Sequence, residues 1–173
     1  MKRIVSVAMF AAGLLAVSAV VQAQDCSSMG NWDLRGTYTM AGSGFIDLSK
    51  ALLGVPGLPT GFIPTTWVGA HTLNGAGSGG GWVSINAGGT QMSASFVGLK
   101  YSIKSDCSIQ ASFSMKINEL GGLVVGPFPR LMVPVLKPDG SLELHMIFLG
   151  TPPGAPTGPI VDSGVAYRIS LQY

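Results

Sequence analysis

Between residues 108 and 117 the chain changes character at every step. Ile109, Ala111, Phe113, Met115 and Ile117 interleave with Ser108, Gln110, Ser112, Ser114 and Lys116. A helix would mix these two sets on every face, whereas a strand sends them to opposite faces. The same alternation recurs. Leu142, Leu144, Met146 and Phe148 alternate with Ser141, Glu143, His145 and Ile147. Val165, Tyr167, Ile169 and Leu171 alternate with Ala166, Arg168, Ser170 and Gln172. Residues 92–96 and 101–103 behave likewise, and shorter candidates lie at 36–40, 66–73, 81–85 and 131–136. That density of about eight or nine short strands predicts an all-β sandwich or barrel. Turns such as Pro138-Asp139-Gly140, Ser105-Asp106 and Asn86-Ala87-Gly88-Gly89 separate the candidates and favour an antiparallel meander. The expected fold is a single antiparallel β-barrel of about eight strands. Its apolar strand faces should turn inward, with Ile109, Phe113 and Met115 in the lumen and Gln110 and Lys116 in solvent.

Two segments break the pattern. Residues 46–53 offer Asp47 or Ser49 as an N-cap and stop at Gly54, which predicts a short helical insertion. Residues 55–64 carry three prolines and large apolar side chains, so no central strand is expected there. Leu58, Phe62 and Ile63 make this segment either a loop packed on the core or an apolar cap over one barrel end.

The start of the chain has a different purpose. Met1-Lys2-Arg3 is basic, residues 4–21 are almost wholly apolar, and Val21-Gln22-Ala23 ends in small or medium residues. That order predicts a signal peptide over 1–23 and one exported domain over 24–173. Localisation should be extracytoplasmic, secreted or periplasmic, with no stable membrane anchor. Lys2 and Arg3 leave with the leader, so ten Lys/Arg become eight and match the eight Asp/Glu. A neutral domain offers no field for nucleic acid. Cys26 and Cys107 are the two cysteines, and an oxidising compartment makes one disulfide the economical reading.

Chemistry-bearing constellations are sparse. Gly75 to Gly81 is a glycine-rich run without the Lys-Ser/Thr of a phosphate loop, and reads as a hairpin loop. Glu143 and His145 are two apart and share a strand face, which makes them candidates for acid–base work. Arg168 could join them if the last two strands pair, and His71 is the other imidazole a metal would need. The ordinary reading of that face is a solvated one, and no metal or cofactor is expected. Tyr101 and Tyr167 complete the candidates for a ligand site, with Leu58, Phe62 and Ile63.

Several phrases in order carry a family likeness: Leu34-Arg35-Gly36-Thr37-Tyr38, then Gly98-Leu99-Lys100-Tyr101-Ser102-Ile103 leading to Asp106-Cys107, then Ser163 to Arg168. The chain resembles a group of secreted bacterial proteins with a GTY…GxYxVxxDC pattern. Those proteins look like small antiparallel barrels of the allene oxide cyclase and calycin class. Here Asn74-Gly75-Ala76-Gly77 stands where that group has Asp-Gly-x-Gly. The resemblance implies a barrel and transfers no catalytic residue.

A lumen lined by apolar side chains points first to a module that binds a small hydrophobic molecule. A cyclase or isomerase acting on an apolar substrate in the cavity is the second expectation, and a structural envelope protein the third. Oligomeric state is left open by the sequence.

Overall fold

The structure, a computed structural model, describes residues 28–47, 61–148 and 160–170. A 3-10 turn, Asn31–Leu34, precedes eight strands: β1 (Gly36–Asp47), β2 (Phe62–Leu73), β3 (Ser78–Ala87), β4 (Thr90–Ile103), β5 (Ile109–Ile117), β6 (Leu123–Leu136), β7 (Leu142–Phe148) and β8 (Ile160–Ser170). Each pairs antiparallel with its chain neighbours, and β8 pairs with β1 to close the barrel. The leader, Cys26, Leu58 and most of the expected helical insertion lie outside the described residues.

On β5 the alternation survives unchanged. Ile109, Phe113 and Met115 are buried, while Gln110 and Lys116 are exposed. β7 does the same with Leu142, Leu144 and Met146 inside.

Other expectations are corrected. Residues 92–96 and 101–103 are one strand, β4, with a register shift between Val97 and Lys100. Met92 and Ala94 face inward before the shift, Leu99 and Tyr101 after it. The extra residue reverses the parity, so one bulged strand reads as two in sequence. Ile46 and Asp47 are the last residues of β1 and not helix; the helical turn that is described lies at 31–34. Phe62, Ile63 and Pro64 open β2 and pair with Asp47, Ile46 and Phe45. Pro64 fits because its pairing with β3 has not begun, and it serves there only as acceptor from the Gly88 N–H. The glycine run splits: Asn74 to Gly77 turn, and Ser78 to Gly81 belong to β3.

β8 reverses the expected orientation. Tyr167 and Ile169 are exposed, while Asp162 and Ala166 are buried. The reason is volume. The Trp67 indole of β2 lies across Gly42 of β1 and Gly164 of β8, where any Cβ would meet it and the neighbouring backbone carbonyls. Small residues therefore face inward on β8 where it passes Trp67, and Tyr167 and Ile169 turn out. Gly42→Ala and Gly164→Ala should each cost about 1–3 kcal/mol by overpacking. Gly80→Ala has open space around it and should stay within about 0.5 kcal/mol. In a Trp67→Leu background part of the Gly164→Ala cost should disappear, a coupling that denaturant melts of the four proteins would measure.

Candidate functional site

One end of the barrel is plugged. The 3-10 turn places Leu34 fully buried under it, and the Tyr38 hydroxyl donates to the Leu34 carbonyl at 3.0 Å. The Tyr101 hydroxyl accepts from the Gly75 N–H at 2.8 Å and so pins the β2–β3 turn. Arg168 turns inward at this end and donates to the Asp33 carbonyl at 2.9 Å. Asn31 accepts from the Ile103 N–H at 3.3 Å. Cys107 sits in the nearby β4–β5 turn at φ 68°.

Toward the other end lies a cavity lined by Ile46, Thr65, Trp67, Phe96, Arg130 and Asp162, with further apolar side chains. The space between its walls, counting the part open to solvent, is about 420 Å³. A smaller cavity beside His71 and Met132 shares Phe96, Phe113 and Arg130 with the first.

Arg130 stands between the two. It lies on the inward parity of β6 with Phe128 and Met132, and is 5% exposed. Its guanidinium rests 4.8 Å from the Phe113 ring centroid and 5.6 Å from that of Trp67. Nη1 approaches Met146 Sδ at 3.4 Å and Met40 Sδ at 4.0 Å. Ring faces and polarisable sulfur both stabilise a cation. Burial lowers Arg130 to about 10, with Asp162 acting in the opposite sense, so the group stays cationic.

Asp162 is 8% exposed. Burial pushes its carboxyl up to about 7, against Arg130 and a contact from the Trp67 side chain, which both favour the anion. Among the described residues its Oδ1 has no hydrogen-bond partner. His71 is also buried; its ring stacks on Tyr38 at 5.2 Å, and Nδ1 lies 3.4 Å from Met40 Sδ. Burial first, then the positive Arg130, hold it down to about 3, so it is neutral. Its Nε2 is unpartnered among the described residues.

The residues singled out from sequence fall elsewhere. Glu143 and His145 do share a face, but it is the outer one. Lys137 Nζ reaches Glu143 Oε1 at 2.6 Å, and His145 Nε2 lies 3.3 Å from Oε2. The Lys137 contact, with lesser help from His145, holds the Glu143 carboxyl below its ordinary value despite partial desolvation. Tyr167, and not Arg168, is the β8 neighbour of Glu143, and it is half exposed. Phe62 is exposed, and Ile63 packs against the core near Gly88. Among the described residues no three His, Cys, Asp or Glu side chains gather as a metal site requires. Arg130 and Asp162 escape the sequence reading because the strand candidates begin after them. The signal available was parity: Arg130 occupies the apolar phase of Phe128 and Met132.

The fold and site define a closed eight-stranded antiparallel barrel with an apolar lumen and a buried cation beside a buried carboxyl. No protein-family model, curated protein or solved structure matches the chain.

Proposed function

We propose that this is an exported binding module for a small hydrophobic molecule, which enters the lumen at the rim formed by Ile46, Thr65 and Ile85. The observation that carries the reading is the cavity between Trp67, Phe96 and Phe113, a largely apolar space inside the barrel. Its size suits a group of a few heavy atoms, with the rest of the ligand at the rim. The strand ends at this rim are those that connections 48–60 and 149–159 join. Export also accords with a Cys26–Cys107 disulfide, which would tie the N-terminal segment to the β4–β5 turn.

The test is titration with 1-hexanol, followed by thermal unfolding. Saturable one-site binding is expected, with about 2.7 kcal/mol of added stability when the alcohol exceeds its Kd about 100-fold. Ile85→Trp, which fills the mouth, should abolish binding without lowering Tm. Absence of any binding by a stably folded wild type would overturn the reading in favour of a structural envelope protein. A second reading, a cyclase or isomerase, is favoured by Asp162, a carboxyl raised toward neutrality on the cavity wall. It replaces Glu143 and His145 as the acid–base candidate, and turnover lost in Asp162→Asn would establish it.

A further inference from the structure

The binding reading leaves open what a cation is doing inside the lumen. We propose that the site takes an apolar monocarboxylate, held through its carboxylate at Arg130 and taken up together with a proton on Asp162. This rests on the binding reading and specifies its ligand class.

The geometry supplies three parts. Arg130 lines both cavities, so a carboxylate entering the larger one meets a cation already desolvated and braced by Phe113, Trp67 and two methionine sulfurs. A guanidinium matches a carboxylate in shape as well as charge. The apolar wall of Val83, Phe96 and Met115 suits a short alkyl or aromatic tail. Asp162, buried on the same wall with Oδ1 unpartnered among the described residues, is the only other carboxyl lining either cavity as described.

The proton follows from the charges. Two carboxylates beside one guanidinium in a poorly hydrated lumen cannot both stay ionised at little cost. The ligand, with an ordinary carboxyl, keeps its charge, and Asp162, already raised by burial, takes a proton from solvent. The other elements packed around Asp162 present these groups. β2 brings neutral His71 and the polar Thr65. On β1 the register partner is Gly44, with the buried Asp47 at the rim and Tyr38 toward the plugged end. β7 turns Glu143 and His145 to the outer face, where they pair with Lys137 and with each other.

Calorimetric titration with hexanoate and with 1-hexanol, from about pH 6 to about pH 9, separates the possibilities. Hexanoate should bind with constant affinity below about pH 7 and lose up to about tenfold per pH unit above it. Proton uptake, read from buffers of different ionisation enthalpy, should be near zero at about pH 6 and approach one per hexanoate by about pH 9, while 1-hexanol shows neither effect. Asp162→Asn should bind hexanoate with no pH dependence. Arg130→Met, a similar volume without the charge, should lose hexanoate at least about tenfold and keep 1-hexanol. If Arg130→Met does not fold, the Asp162→Asn profile decides alone. Binding of 1-hexanol with no hexanoate binding, or hexanoate binding that ignores pH and Asp162, would overturn the anion inference and leave the module reading standing. Failure of both ligands would overturn both.

Discussion

Phe113→Ala should cost about 3–5 kcal/mol in denaturant unfolding, while Lys116→Ala on the same strand stays within about 0.5 kcal/mol. Phe113 is 2% exposed and lines both cavities. Its ring centroid lies 4.7 Å from that of Phe96 and 6.0 Å from that of Phe128, and the Arg130 guanidinium sits over its face. Truncation therefore removes buried area, opens the wall between the two cavities and leaves a buried cation with one ring fewer. The loss should sit at the upper end of the range for that reason. Lys116 loses only an exposed chain. Equal, small effects for the two substitutions would mean that β5 presents its other face to the lumen.

The second large effect is a pair of opposing pH dependences hidden in the wild type. Asp162 binds its proton more tightly folded than unfolded, since burial raises it from the ordinary 3.8 to about 7. In that window the folded protein carries the extra proton, so stability falls as pH rises, by up to about 1.4 kcal/mol per unit, and levels off above about 7. His71 has the reverse relation, lowered by burial from 6.5 to about 3. Between those values the unfolded chain carries the extra proton, so stability rises with pH by a similar slope. The windows overlap over most of their range, and wild-type stability should change little from about pH 4 to about pH 6. Asp162→Asn should expose the rise owed to His71 and be more stable than wild type above about pH 7. His71→Gln should expose the fall owed to Asp162. Urea melts across this range measure both, and two flat profiles would show that neither group is desolvated as the lumen geometry requires.

The legible part of this chain is local and periodic. Residues 108–117 and 141–148 announce strand, phase and face together, because alternation of large apolar and polar side chains admits one orientation in a half-buried strand. An antiparallel ladder of about eight strands follows from the number of such segments and the short turns between them; its closure by β8 on β1 is tertiary. Where the pattern breaks, contacts between distant strands take over. The bulge at Val97–Lys100 converts two apparent strands into one, since an unpaired residue shifts parity; its one mark in the sequence is Gly98, which takes the φ of 64° there. β8 puts Tyr167 and Ile169 outside because Trp67, distant in sequence, already fills the lumen against Gly42 and Gly164. Hydropathy along β8 carries no record of that indole. The candidate site shows the same division. Glu143 and His145 are neighbours by spacing and are neighbours in space, but which side of the wall they occupy depends on barrel closure. Arg130, His71 and Asp162 come from β6, β2 and β8. They meet because those strands share one lumen, where burial acts on their charges together.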